Sequence, residues 1–138
     1  MRRAKVFSIE PEPTLFANAK NYFKSFANVE IINDISENVF PELLPKINGS
    51  VNFWLDGHYS SGLTFKGPKN TPILEELKSI SNNIKRFDKV VVMIDDIRCF
   101  NPHISEYCSY PSIDYLVDWA RENDLYWHIE HDIFIAKN

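Results

Sequence analysis

The sequence has few of the features that would indicate an unusual class of protein. It contains only two cysteines, Cys99 and Cys108, too few for a disulfide scaffold, so we expect a reducing compartment and a cytoplasmic protein. No signal peptide is visible, and the longest unbroken apolar run, residues 90–94, is far shorter than a membrane span. Basic residues number 15 against 19 acidic ones, which argues against nucleic-acid or membrane-surface partners.

The composition is that of one globular domain spanning residues 1–138. Of the 138 residues, 44% are hydrophobic and 25% are charged, which allows a substantial core. Short β-rich runs occupy residues 6–9, 29–32, 51–55 and 90–94. The last of these runs is continuous rather than alternating, as expected of a strand covered on both faces.

Amphipathic helical patterns lie between the strand-like runs. Residues 15–26 carry an apolar stripe at helical spacing, and residues 37–44 form a weaker helix in which Pro41 would fit only near the first turn. Thr71 is expected to cap a third helix, with Pro72 at its first position, and Ser112 a fourth. Two short strands around His131-Asp132 close the chain. This order predicts an α/β fold with a mainly parallel sheet and a C-terminal β-hairpin.

Acidic residues follow four successive predicted strands. They are Glu10, Asp34, Asp56 and the pair Asp95-Asp96. Turn chemistry alone explains an acidic residue at any one of these places. In parallel sheets, however, ligands bind beyond the carboxyl ends of the strands, so all of them together indicate a candidate site.

The third and fourth strands give the sharpest hypothesis. If these strands are neighbours, their ends lie about 5 Å apart, and Asp56, Asp95 and Asp96 would repel unless protonated, solvated or bridged by a cation. Their oxygen ligands suit Mg²⁺, Mn²⁺ or Ca²⁺. His58 could be a further ligand or a general base. Arg98 could either neutralise the aspartates or bind an anion.

Three segments together resemble class I S-adenosylmethionine-dependent methyltransferases, in particular small-molecule O-methyltransferases. They are Phe-Trp-Leu-Asp-Gly-His-Tyr-Ser at 53–60, Thr-Pro-Ile-Leu-Glu-Glu-Leu at 71–77 and Ile-Asp-Asp at 94–96. The resemblance extends over nearly the whole chain. It implies a Rossmann-like fold with helices on both faces of the sheet and S-adenosylmethionine as cofactor.

The resemblance also implies roles for individual residues. Glu10 would bind the ribose hydroxyls of the cofactor, and Asp34 would approach its adenine ring. Asp56 would lie beside the methionine moiety and a small hydroxylated acceptor, with His58 as the base. Asp56, Asp95 and Asp96 would be the ligands of a divalent metal, which makes a bound hydroxyl easier to deprotonate.

The sequence departs from the family at its beginning. The family's first strand and glycine-rich loop should precede Val6, yet only five residues do so, and none of the four glycines follows a first strand. We therefore expect an N-terminally truncated fold with unpaired apolar strand edges and a homodimer. Two alternatives remain open: a metal-dependent phosphoesterase or other hydrolase, and a non-catalytic remnant that dimerises.

Overall fold

The computed structural model describes residues 4–57 and 71–138. Helices and strands alternate and the chain ends in a β-hairpin, which confirms the predicted α/β fold. The strands of the described residues are β1 (Val6–Ile9), β2 (Val29–Ile32), β3 (Gly49–Leu55), β4 (Phe87–Ile94), β5 (Tyr126–Glu130) and β6 (Ile133–Lys137). The α-helices are α1 (Pro13–Tyr22), α2 (Ser36–Leu43), α3 (Ile73–Asn83) and α4 (Ile113–Glu122).

Local side-chain hydrogen bonds mark where α3 and α4 begin. Ser112 caps α4 as predicted, since its Oγ accepts a hydrogen bond from the backbone N–H of Tyr115 at 3.3 Å. Helix α3 begins one residue later than predicted: Pro72 occupies the N-cap position, while Thr71 Oγ1 accepts from the N–H of Ile73 at 3.3 Å.

The prediction for Pro41 was wrong, because this residue lies inside α2 rather than near its first turn. Proline removes one N–H donor from a helix and crowds the preceding turn. The short helix nevertheless buries Val39 and Phe40, and this packing offsets the missing hydrogen bond.

The sheet of the described residues is split into two parts. Strands β1 and β2 form a parallel pair, while the other four have the order β3-β4-β6-β5, with β3 parallel to β4 and β6 antiparallel to both of its neighbours. Ile9 at the end of β1 packs against the main core. Among residues 4–57 and 71–138, the strands β1, β2, β3 and β5 each keep one edge without a strand partner.

The four-stranded sheet has two unlike faces. On the inner face, Phe53 of β3 pairs in register with Val92, which pairs with Ala136, and all three are buried. On the outer face, the corresponding row is Trp54, Met93 and Ile135, of which Trp54 is 53% exposed and the others are half-buried. The expectation that β4 is covered on both faces was therefore wrong.

The hydrophobic core lies between the inner face and helices α2, α3 and α4. Leu77 and Ile80 of α3 and Leu116 and Ala120 of α4 have no accessible surface. Helix α1 differs, because none of its residues is buried although it carries an apolar stripe. The predicted helix is present, but its apolar stripe is not buried, and Leu15 and Tyr22 stay exposed.

Candidate functional site

The ends of β3 and β4 bring three of the predicted site residues to one small cavity. Leu55 is in register with Ile94, and the backbone N–H of Asp95 donates to the Leu55 carbonyl at 3.0 Å. Asp56, which follows β3, and Asp95 and Asp96, which follow β4, all line this cavity. The prediction that the strands are neighbours, with their acidic ends together, is confirmed.

The remaining walls of the cavity come from α3 and from the segment after β4. Thr71 and Glu76 contribute from the start of α3, and Phe100 and Tyr110 from the other side. The two aromatic rings pack edge to face with their centroids 5.2 Å apart. Burial raises the pKa of Tyr110, while its hydrogen bond with Thr71 acts in the opposite direction. Tyr110 is therefore a neutral phenol in this wall.

Gly57 allows the close approach of β3 to α3. A Cβ atom at this position would lie 2.8 Å from Cγ of Pro72 and 3.6 Å from Oε1 of Glu76. The Thr71 hydroxyl donates a hydrogen bond to the Gly57 carbonyl at 3.4 Å. A side chain at position 57 would separate the acidic end of β3 from the helix that closes the cavity.

Glu76 is a buried carboxyl group that lines the cavity and is not among the site residues predicted from the sequence. Only 4% of its surface is exposed, and this burial raises its pKa from 4.5 to about 7. A hydrogen bond with Ser36 lowers the pKa, and the charge of Glu37 raises it. The signal was present, because Glu76 falls on the inner stripe of α3 with Ile73, Leu77 and Ile80.

Glu10 and Asp34 lie at the ends of the other pair of strands and do not line this cavity. The Glu10 carboxylate accepts the N–H of Glu12 at 2.9 Å, and the Asn33 amide donates to the carbonyls of Glu10 and Pro11. Hydrogen bonds from the Ile35 backbone and the Asn38 side chain lower the pKa of Asp34. The predicted site residues therefore form two groups, on the two parts of the sheet.

Arg98 pairs with carboxylates on both sides of the β4 end. Its Nη1 lies 2.6 Å from Oδ1 of Asp96 and also pairs with Asp132, in the turn between β5 and β6. The Asp132 carboxylate further accepts the backbone N–H of Arg98 at 3.0 Å. Of the two interpretations of Arg98, neutralisation of the neighbouring aspartate matches these contacts.

The predicted metal site has no support in residues 4–57 and 71–138, where no three His, Cys, Asp or Glu side chains are arranged to hold a metal ion. Asp56, Asp95 and Asp96 share a cavity without forming such a group. His58, the predicted base, lies outside the described residues.

No helix in the described part of the chain combines the length and the apolar character needed to cross a bilayer.

No protein-family model matches this sequence, and no curated protein matches it. Solved structures do match. A protein from Clostridium thermocellum classed as an rRNA methylase superposes with a TM-score of 0.60 at 12% identity, over 99% of this chain and 75% of the other. A Streptococcus mutans protein classed as a methyltransferase, solved with SAH, has a TM-score of 0.53 at 13% identity, over 97% of this chain and 76% of its own.

A third match comes from the Pnkp1/Rnl/Hen1 complex, with a TM-score of 0.50 at 11% identity, over 97% of this chain and 31% of the other. These likenesses define the class of the fold. The chain has the Rossmann-like α/β fold found in methyltransferases, as the resemblance implied. At such low sequence identity the structural similarity shows the fold alone and does not assign an activity.

Proposed function

We propose that this chain is a methyltransferase-like protein that binds S-adenosylmethionine at the carboxyl ends of β1 to β4 and acts on a small hydroxylated acceptor. The observation that carries the proposal is the presence of acidic residues at the carboxyl ends of two pairs of parallel strands, in a fold whose S. mutans neighbour was solved with SAH. Ligands of open α/β sheets bind at these ends.

The resemblance to methyltransferases gives Glu10 and Asp34 roles at one half of such a ligand. Carboxylates accept hydrogen bonds from hydroxyl groups, which fits the role of Glu10 at the ribose, and Asp34 would lie beside the adenine ring as the resemblance implies. Asp56, in the cavity between β3 and β4, would receive the reacting end of the cofactor and the acceptor. The bound cofactor supplies a sulfonium methyl group that is transferred to the acceptor oxygen.

Two residues would prepare the acceptor for methyl transfer. Asp56, which lines the cavity, would lie beside the bound acceptor and help to orient it. His58, two residues further along the chain, takes up the proton that the hydroxyl loses. We derive no step through a divalent cation, because the described residues offer no group of ligands for one.

Isothermal titration calorimetry with SAH and S-adenosylmethionine, with and without Mg²⁺, tests this proposal. We expect binding that Mg²⁺ does not change, and at least a tenfold weaker affinity in Glu10→Gln, because charge-assisted hydrogen bonds to the ribose are lost. Glu30→Gln is the matched control, since Glu30 is an exposed carboxylate on β2 paired with Lys5. An unchanged affinity in Glu10→Gln would refute the role of Glu10.

The split sheet favours the alternative of a non-catalytic protein that dimerises. Apolar strands β1 and β3 carry no Lys, Pro or acidic residue, the devices that normally protect exposed strand edges from pairing with another chain. This alternative predicts a homodimer in multi-angle light scattering together with no heat of SAH binding. A monomer that binds SAH would refute it.

A further inference from the structure

Strand β5 ends the four-stranded sheet with an edge that lies open to solvent. On one side it pairs with β6 over all five of its residues, and within the described part of the chain no strand pairs with its other side. All five residues are exposed, and 80% of the surface of Tyr126 is accessible. The backbone N–H and C=O groups of such an edge pair readily with a strand of another chain.

The residues of β5 do little to protect this edge from pairing. Lysine, proline and bulges are the usual devices, but the strand reads Tyr-Trp-His-Ile-Glu and its register with β6 is unbroken. Strand β2, at the end of the other part of the sheet, differs because its Glu30 forms an ion pair with Lys5 at 2.9 Å. The open edge of β5 is therefore a candidate interaction surface.

The sequence of β5 is complementary to itself when the strand is reversed. In an antiparallel pair centred on His128, Tyr126 lies opposite Glu130 of the second copy, and Trp127 lies opposite its Ile129. The first pair joins a phenol donor to a carboxylate acceptor, and the second joins an aromatic to a β-branched side chain. Each pair occurs twice, because the twofold axis passes through His128.

The apolar pair would extend the hydrophobic core across the axis. Trp127 and Ile129 are in register with Ala136 and Phe134 of the inner face, yet they remain 38% and 42% exposed. Trp127 stacks on the buried Phe134 with ring centroids 5.8 Å apart. Because this contact already holds the indole ring, its packing against a second copy costs little side-chain freedom.

The polar side chains of β5 lie on the outer face and are arranged in a complementary way. Within one chain, Nε2 of His128 is 3.9 Å from Oε2 of Glu130. In the antiparallel pair each imidazole also lies diagonally across from Glu130 of the second copy. Imidazole and carboxylate groups therefore alternate around the axis, and the two carboxylates do not face each other.

We propose that β5 is a homodimer interface, in which two copies pair antiparallel about His128 and join their four-stranded sheets into one continuous sheet. A second copy is the occupant because the strand itself supplies the matching partner at each position. The test requires no cofactor, so its outcome is independent of the proposed function.

Multi-angle light scattering over a dilution series measures the association. We expect wild type to be a dimer and His128→Lys to have an about tenfold higher dissociation constant, because two ammonium groups then lie opposite each other at the axis. His131→Lys is the matched control and should dimerise like wild type, since the His131 side chain is 88% exposed in the turn beyond β5. Thermal unfolding shows whether each variant is folded.

Cross-linking determines the register of the two strands. Residue 128 lies opposite its own copy, so His128→Cys should form an intermolecular disulfide on mild oxidation, whereas His131→Cys should not. Both variants are made with Cys108→Ser, because Cys108 is exposed while Cys99 is buried. A monomeric wild type would refute the inference. A dimer that is unchanged in His128→Lys and forms no disulfide in His128→Cys would also refute it, because the interface would then lie elsewhere.

Discussion

Replacement of Glu76 by glutamine should remove a pH-dependent loss of stability that this buried carboxyl group causes. In the folded protein its pKa is about 7, against an ordinary value of 4.5. Between these two values the native state keeps a proton that the unfolded chain releases. The unfolded state therefore binds fewer protons, and the free energy of unfolding falls as the pH rises from about 4.5 to 7.

The magnitude follows from the size of the shift. Each pKa unit corresponds to about 1.4 kcal/mol, so the shift of Glu76 from 4.5 to about 7 costs the wild type about 3–4 kcal/mol well above neutral pH. Glutamine has nearly the same volume, carries no charge and can still hydrogen bond with Ser36. We expect Glu76→Gln and wild type to be equally stable at pH 5, and the variant to be more stable at pH 8.

Urea unfolding followed by tryptophan fluorescence at several pH values between 5 and 8 measures the difference. Glu75→Gln is the matched control, because it makes the same chemical change on the preceding residue of α3, which is not buried. A stability difference between wild type and Glu76→Gln that is the same at pH 5 and pH 8 would refute the reasoning. If Glu75→Gln gained as much stability between pH 5 and pH 8 as Glu76→Gln, the effect would come from removing a charge near the helix N-terminus and not from burial.

Two further substitutions test the packing around the site and the two faces of the sheet. Gly57→Ala places a methyl group 2.8 Å from the Pro72 ring, so urea unfolding should show a loss of about 1–3 kcal/mol; an unchanged midpoint would contradict the tight approach of β3 to α3. Phe53→Ala should cost about 3–5 kcal/mol, because Phe53 is buried on the inner face. The adjacent Trp54→Ala should cost less than about 1 kcal/mol, and a larger loss would mean that another surface covers the outer face.

Much of the fold follows from local patterns in the sequence. Strands β1 and β2 begin and end where the β-rich runs predict, and the hairpin forms around His131-Asp132. Ser112 caps its helix, since its side chain is close in sequence to the N–H that it bonds. Asp56 and Asp95 could be placed together because parallel neighbouring strands bring their ends to one edge.

Other properties of the site depend on contacts between residues far apart in the sequence. The inner stripe of α3 indicates that Glu76 faces inward, but its hydrogen bond with Ser36 depends on the packing of α3 against α2. The shared ion pair of Arg98 requires the β5–β6 turn to lie beside the β4 end. No local pattern encodes the contact of Glu76 with Ser36 or the ion pairs of Arg98.

The sequence alone therefore determined the order of the elements and the acidic residues at the strand ends. Hydrophobic periodicity, helix capping and turn chemistry each depend on residues that lie close together in the sequence. The tertiary structure decided the rest: the split between β1 and β3, the exposed outer face around Trp54, and the two separate groups of site residues. Strand order, burial and shared charges arise only when distant segments pack together, since each depends on what the partner segment supplies.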